Sequence, residues 1–474
     1  MFKSVTPRVS LFFISLIAKA AYSALSGDSF SASQTKSAWG VLFWILWFVM
    51  LWLVTLPQTD IYFERFSRQL KFVARSSVIV SAVVCIAIAG SYFGLKADII
   101  HAADFPEPIG SLFSSLETQP RYSDGAALTF QATESIINGE NPYAQSNVVT
   151  AMNQFDGPFI NLTPLQEGRF SEVFPYPSQT QLADIWAEAQ LNTETVPVEL
   201  ETRLNYPAGS FLLTAPFVLA GVDTLQVILI IFMLIAVIYA LWRIPGEHKL
   251  IFGLAVLISM ELWISGFIGL DKRVLIFPFM LIGWLLIPER PKIAMALLGV
   301  AAAAFQTAWF LLPFALIFAY HRWGLKKAAQ GAVITIGVFL AFNLPFVFAD
   351  PELWLSSVLA PMTDSLYPMG VGLAGLVESG ILQIETSTLF TILEAAALAG
   401  GLLWYFLRGR NFPETGLLLS ILPLFFAWRS LSDYFFYVDL IVLASLLLRN
   451  RSGQVIPGIS LKAITRFMPQ IHRN

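Results

Sequence analysis

One carboxylate at the head of a polar stretch has the residue type and the position to do chemistry. Asp124 lies near the start of the segment 121–143, RYSDGAALTFQATESIINGENPY, between blocks of hydrophobic sequence. A carboxylate held just outside a membrane can act as a general base on a hydroxyl nucleophile, which typically accelerates transfer by about 10² to 10⁴. The alternative is that Ser123 or Asp124 only caps a helix. Three rival carboxylates lie nearer the preceding hydrophobic run: Asp98, Asp104 and Glu107.

Three cations lie at predicted ends of membrane helices, where they could bind a phosphate. Arg429 follows a hydrophobic run in the sequence WRSLSDYFFY, and Lys272 and Arg273 follow another. Fixed cations stabilise a phosphate that gains negative charge as it leaves. For Arg429 the alternative is an ion pair with Asp433, four residues on. For Lys272 and Arg273 the alternative is that the side chains only reach from the helix ends towards the interface.

A few polar and aromatic residues could complete a substrate site. Tyr143 and Tyr206 have rings that could stack on sugar faces, although aromatic residues at a membrane interface are usually anchors. Asn141 is part of the turn Asn-Pro-Tyr, which is typical of a simple loop. His101 is a candidate for a second acid–base group, with a solvated loop histidine as the alternative.

The composition predicts that helices in a membrane position these residues. Hydrophobic residues make up 56% of the 474-residue chain and charged residues 13%, against about 25% in a typical soluble protein. The mean hydropathy is +0.67. Because backbone groups in lipid must be satisfied within each segment, we expect an all-α polytopic membrane protein.

The charges are segregated along the chain. Residues 96–203 hold 15 acidic and 4 basic residues, a net charge of −11, whereas the remainder, with 17 acidic and 25 basic residues, carries +8. Basic loops are retained on the cytoplasmic side of a membrane. The pattern therefore predicts a large extracytoplasmic loop after the third span and basic cytoplasmic loops elsewhere.

The hydrophobic runs predict a bundle of about twelve transmembrane helices with re-entrant segments. Residues 9–26 are the weakest run, and a cleaved signal peptide is the alternative there. The short run 208–221 contains a proline and is interpreted as re-entrant. The four predicted regions are the N-terminal helices 1–95, the extracytoplasmic loop with its re-entrant helix 96–223, the transmembrane bundle 224–448 with a second outer loop 349–386, and a basic cytoplasmic tail 449–474.

Motifs for other chemistries are absent from the sequence. It has no phosphate-cradling glycine loop and no dinucleotide fingerprint. Four histidines and one cysteine, far apart, form no legible zinc site. We therefore expect no resident metal or cofactor and no nucleic-acid partner.

The order of these elements resembles the membrane glycosyltransferases of the GT-C class, and most closely family GT87, which uses polyprenyl-phosphate mannose. The similarity lies in the outer Asp124, the turn 139–143 (GENPY), the Tyr206-Pro207 element and a half-helix hairpin at Phe305-Gln306-Thr307. Two spans precede the usual first one, and Phe305 stands where the family commonly has lysine.

The resemblance implies a fold and an activity. The fold would be a GT-C-like bundle, and Asp124 would be the catalytic base of an inverting transfer. A sugar, mannose by the resemblance, would pass from a polyprenyl-phosphate donor to a lipid or glycan acceptor outside the cytoplasm. Gln306 would contact substrate. The oligomeric state stays open.

A transporter or flippase is the competing function. Transporters place ionisable residues at mid-membrane depth and often contain inverted repeats. Lys19, Glu261 and Glu394 are the ionisable residues within hydrophobic runs on which such a function would depend. The long acidic outer loop favours an enzyme. A catalytically inactive subunit of a glycan-assembly complex is a third alternative.

Overall fold

The computed structural model describes residues 6–25, 33–106 and 121–449, and these residues are mainly helical. Within these ranges six helices are long and apolar enough to cross a membrane, or seven if one bent pair is counted as a single span. The prediction of an all-α, membrane-embedded protein is therefore confirmed, whereas the figure of about twelve crossings stays a prediction. Glu107 and the predicted tail after residue 449 lie outside the described residues.

The chain begins with helices that pack around one another. These are α1 (Pro7–Leu25), α2 (Gln34–Thr55), α3 (Gln58–Tyr62) and α4 (Ser67–Lys96). Helix α1 packs along α2 and against α4. Trp44 and Trp47 on α2 are fully buried, and both rings contact the ring of Phe435 near the end of the chain. The N-terminal helices are thus packed into the rest of the protein.

The polar region that follows folds into short helices. These are α5 (Asp124–Ile137), α6 (Val148–Gln154), α7 (Gln179–Leu191), α8 (Gly209–Leu212) and α9 (Ala215–Leu219). One face of α5 is lined with small and hydroxyl side chains, and Thr133 contacts Thr214 at 2.6 Å. This face fixes α5 against the predicted re-entrant run, which the structure breaks into α8 and α9.

A second group of helices contains one sharp bend. These are α10 (Leu225–Arg243), α11 (Lys249–Ile258), α12 (Met260–Phe267), α13 (Phe277–Leu286), α14 (Pro291–Ala304) and α15 (Leu311–Trp323). Helices α11 and α12 meet at an angle of 61°. The predicted fold-back at Gln306 is a 3₁₀ turn, Gln306–Phe310, between α14 and α15.

The last described elements are helices of 6 to 25 residues and one short parallel strand pair. The elements are α16 (Leu325–Ala349), α17 (Pro351–Thr363), β1 (Met369–Gly370), α18 (Leu373–Glu378), α19 (Thr388–Arg408), α20 (Thr415–Phe426), β2 (Arg429–Ser430) and α21 (Val438–Arg449). Met369 pairs with Arg429 in this ladder.

A backbone seam ties the polar region to the chain before β1. Leu165 donates its N–H to the Glu199 carbonyl at 2.8 Å, and Gln166 donates to the Ser365 carbonyl at 2.7 Å. The strand-like residues 163–166 therefore lie between two other segments. Because β1 pairs with β2, this seam links the polar region that contains Asp124 to the segment that contains Arg429.

Candidate functional site

Asp124 is the first residue of helix α5, and Ser123 is the cap. The Ser123 hydroxyl accepts the N–H of Ala126, as an N-cap side chain does. The Asp124 carboxylate accepts only the neighbouring Gly125 N–H, at 2.5 Å, among the bonds of the described residues. Ser123 therefore caps the helix, and the Asp124 side chain does not. The Asp124 carboxylate lies at the positive end of the helix dipole.

Lys272 and Tyr206 meet Asp124 across a glycine. A Cβ atom on Gly125 would overlap the Lys272 ammonium and would lie 2.7 Å from the Tyr206 hydroxyl. The ammonium also lies 4.7 Å from the centre of the Tyr206 ring, within cation–π range. Gly125 therefore leaves room for an ammonium and a phenol hydroxyl beside the residue that carries the Asp124 carboxylate.

Lys272 is buried, and its ammonium has no carboxylate within 4.0 Å among the described residues. Burial lowers the pKa of Lys272, Arg273 acts in the same direction, and Asp124 opposes them. Burial also raises the pKa of the Tyr206 hydroxyl, and the Asp124 carboxylate adds to the rise. Tyr206 therefore remains a hydrogen-bond donor, and the lysine is a cation short of counter-charge.

Arg273, by contrast, is held on several sides. Its Nε donates to Asp271 at 2.8 Å, its Nη2 is bonded to Asp433, and its guanidinium lies 4.5 Å from the centre of the Tyr434 ring. Two carboxylates already neutralise this cation. Arg273 is therefore better placed to join two chain segments than to receive a ligand phosphate by itself.

Arg429 lies in β2 and does not pair with Asp433. Its Nη1 atom is buried without a hydrogen-bond partner among the described residues, and its Nη2 lies 3.5 Å from the Met369 sulfur. A buried cationic donor without a partner carries a large desolvation cost. The predicted alternative of an Arg429–Asp433 ion pair is wrong, because Asp433 binds Arg273 instead.

Tyr143 and Asn141 form a turn and a packing contact. The buried Tyr143 ring packs edge-on against Phe211 and Phe346, and its hydroxyl donates to the Tyr206 carbonyl at 2.9 Å. Asn141 accepts the Tyr143 N–H at 3.2 Å. The candidate role of Tyr143 in stacking on a sugar finds no open ring face, because the ring is enclosed by protein. Tyr143 supports the backbone of Tyr206 instead.

Gln306 also acts on the Tyr206 turn. Its amide donates to the carbonyls of Asn205, at 2.6 Å, and of Val358, at 2.9 Å. The hairpin between α14 and α15 therefore supports the turn that carries Tyr206. No contact of Gln306 with Asp124 or Lys272 accompanies this within the described part of the chain.

His101 does not join the cluster. Its imidazole is exposed and lies 3.4 Å from the exposed Asp98 carboxylate. Asp104 is exposed as well. These groups belong to a solvated turn after α4, so of the candidate bases Asp98, Asp104 and Asp124 among the described residues, Asp124 is the one that lies close to a buried cation.

Sequence reasoning missed three members of the cluster. Asp271 and Asp433 pair with Arg273, and Tyr434 lies under its guanidinium. Asp271 stands two residues before Arg273, a signal that could have been used. Asp433 was considered only as a partner of Arg429, since both lie in one short segment.

Comparison of the chain with protein-family models, with curated proteins and with solved structures finds no match. The chemical interpretation therefore depends on the geometry of this cluster. Its members are three cations, Lys272, Arg273 and Arg429, and three carboxylates, Asp124, Asp271 and Asp433. Two of the cations lack a carboxylate partner among the described residues, and one carboxylate, Asp124, lacks a cation within ion-pair distance.

Proposed function

We propose that the protein is an integral membrane glycosyltransferase of the GT-C kind. It would transfer a sugar, with mannose as the first donor to test, from a polyprenyl phosphate to an acceptor hydroxyl outside the cytoplasm. The acceptor would be a lipid or a glycan. The observation that carries the proposal is that the Lys272 ammonium and the Tyr206 hydroxyl converge over Gly125, the residue next to Asp124, while that ammonium has no carboxylate within 4.0 Å among the described residues.

The residues have separable roles in this reaction. The acceptor oxygen attacks the anomeric carbon of the sugar while Asp124 takes the hydroxyl proton. The bond between that carbon and the phosphate oxygen breaks, and the lipid phosphate leaves with its electron pair. Lys272 and Arg429 stabilise the charge that develops on the phosphate. One carboxylate base and a single displacement give inversion at the anomeric carbon.

Asp124→Asn in purified protein supplied with radiolabelled polyprenyl-phosphate mannose tests the base. Asparagine keeps the shape but cannot accept the proton, so we expect transfer to fall by about 10² to 10⁴. Glu134→Gln is the matched control, because Glu134 lies on the same helix and bonds only Gln154 among the described residues. Equal transfer by Asp124→Asn and wild type would remove Asp124 from the mechanism.

Arg429→Gln tests the phosphate-binding role. Glutamine retains a donor but loses the charge, and hydrogen bonds to charged groups contribute about 1.5–3 kcal/mol. We expect kcat/KM for the donor to fall by about 10- to 100-fold, which corresponds to that free energy. The acceptor KM should stay unchanged. A loss confined to the acceptor KM would place Arg429 elsewhere in the reaction.

Transport of a lipid-linked or small polar substrate is the second candidate. The observation that favours it is a buried ion cluster of Lys19, Glu261 and Asp439 among the apolar helices, since ionisable groups at such depth often mark transport paths. Glu394 is not part of this cluster. Substrate movement across reconstituted vesicles without any sugar transfer would favour transport and refute the enzyme.

A further inference from the structure

The first helix of the chain delivers a buried cation to the two segments that carry the transfer site. Lys19 lies on α1 and is only 4% exposed. Its ammonium is 3.1 Å from a Glu261 oxygen on α12 and 3.1 Å from an Asp439 oxygen on α21. It also donates to the carbonyls of Phe435, at 3.0 Å, and Phe436, at 2.9 Å.

The two carbonyls need this donor. Phe435 and Phe436 lie between a 3₁₀ turn that ends at Tyr434 and helix α21, which begins at Val438. Neither carbonyl accepts a backbone N–H among the described residues. Both residues are buried, and a buried carbonyl without a donor is costly, most of all away from water. The Lys19 ammonium therefore supplies the donors that these two carbonyls lack at the break between the 3₁₀ turn and α21.

On one side, this break directly follows the site residues. Asp433 and Tyr434, which contact Arg273, directly precede Phe435, whose carbonyl is the first of the two. Arg429 lies four residues before Asp433. The ring of Phe435 is also enclosed by Trp44 and Trp47 of α2. Helices α1, through Lys19, and α2, through Trp44 and Trp47, thus fix the position of the segment 429–437.

On the other side, Glu261 lies in the first turn of α12, just after the 61° bend. The turn beyond α12 is tied back to it, because Asp271 donates its N–H to the Ser265 carbonyl at 2.8 Å. That turn carries Lys272. Movement of α12 would therefore move the Lys272 ammonium away from Gly125.

We propose that Lys19 is a positioning residue of the transfer site. Its ammonium holds segment 429–437 and helix α12 together and so sets the separation of Arg429 and Lys272. This inference rests on the proposed function for the meaning of that separation. Two carboxylates face one ammonium in the cluster, so Lys19 also supplies the positive charge that keeps Glu261 and Asp439 from repelling one another.

Lys19→Met in the full-length protein is the primary test. Methionine keeps the unbranched stem and removes the charge and the donors. Because displacement of catalytic groups by about 1 Å can reduce rates by about 10², we expect transfer to slow by about that factor. Amide hydrogen exchange should rise in peptides that cover 429–437 and 265–273, and this readout does not depend on transfer.

Arg8→Met is the matched control on the same helix. Arg8 is also buried, but its side-chain Nε donates to the Val54 carbonyl at 2.8 Å and its backbone N–H donates to the Asp60 carboxylate at 3.0 Å, both within the N-terminal helices. We expect it to lower stability without raising exchange at 429–437. Equal losses in the two variants would overturn the inference, because they would indicate general destabilisation. Unchanged exchange and turnover in Lys19→Met would overturn it too.

A triple variant separates positioning from charge balance. Lys19→Met with Glu261→Gln and Asp439→Asn removes the whole ion cluster, so no buried carboxylate is left without a cation. Transfer that stays slow supports the positioning role, and transfer restored to the wild-type rate would overturn it. If the wild type itself transfers no sugar, the proposed function fails, whereas the exchange measurements still decide whether Lys19 holds the two segments.

Discussion

A carboxyl pair in the polar region makes stability depend on pH in a direction that can be worked out. Glu201 is 4% exposed, and its partner Asp364 lies at the end of α17. Burial, together with the hydrogen bond that the protonated Glu201 carboxyl donates to Asp364, raises the pKa of Glu201 to about 8. Arg203 contacts both groups, through its N–H to Glu201 at 2.8 Å and its guanidinium to Asp364 at 3.4 Å.

The sign follows from the raised value. Folded protein binds a proton at Glu201 that the unfolded chain releases above its ordinary pKa of 4.5. The stabilisation is therefore fully present below about pH 4.5 and is lost as pH rises towards about 8. The rise from 4.5 to about 8 corresponds to an upper bound of about 5 kcal/mol, at about 1.4 kcal/mol for each tenfold change in affinity.

Glu201→Gln should remove most of this dependence. The glutamine amide donates to Asp364 at every pH and still accepts the Arg203 N–H. We expect the wild-type unfolding midpoint, followed by tryptophan fluorescence in detergent, to fall between pH 5 and pH 9. The variant should vary less with pH and should exceed the wild type at pH 9.

The neighbouring Glu199 gives a control of opposite sign. Burial acts to raise the pKa of Glu199, but hydrogen bonds from the Arg169 N–H, at 2.9 Å, and guanidinium, at 3.2 Å, outweigh it and lower the pKa. Its contribution is therefore present above its ordinary pKa of 4.5 and lost as pH falls below that value, so Glu199→Gln should weaken the protein by a similar amount from pH 5 to pH 9 and by less in acid. Identical pH profiles for Glu201→Gln and wild type would refute the assignment of a shared proton.

Two glycines give further predictions. Gly125→Ala should displace the Lys272 ammonium and the Tyr206 hydroxyl and slow transfer by about 10². Its stability should change little, because the flexible end of the lysine side chain can move and alanine favours a helix more than glycine does. A normal transfer rate with a normal melting curve would contradict the site geometry. Gly209→Ala should instead destabilise the fold by about 1–3 kcal/mol, because its Cβ would lie 2.7 Å from the Ala303 carbonyl oxygen and a backbone atom moves less readily than a side chain. Thermal unfolding measures this loss. An unchanged midpoint would contradict the close contact between α8 and α14.

The helices were predictable because they depend on local signals. Hydrophobic runs, a serine before α5 and a polar pair at Gln306 each act over a few residues, and the structure places elements and breaks accordingly. The reliable part of the site prediction was likewise local: Asp124 begins a helix because Ser123 precedes it.

The pairings between charges were not predictable, because they join distant segments. The alternative of an Arg429–Asp433 pair assumes helical spacing, but residues 429–430 are extended and 432–434 form a 3₁₀ turn, so the spacing rule does not apply. Lys19 interrupts a weak hydrophobic run, and its partners, Glu261 and Asp439, lie 242 and 420 positions later in the chain. The sequence contains these charges but no local signal that joins them.

The bend between α11 and α12 changes the depth at which a reaction could occur. A straight helix over 249–266 would rise about 27 Å, nearly the thickness of the hydrocarbon layer. With a 61° bend after Ile258, and with α11 along the membrane normal, the pair advances only about 20 Å. The turn that bears Lys272 is then recessed by about 7 Å. A lipid carrier could present its phosphate there without lifting its tail out of the bilayer, and the second substrate would have to descend to meet it.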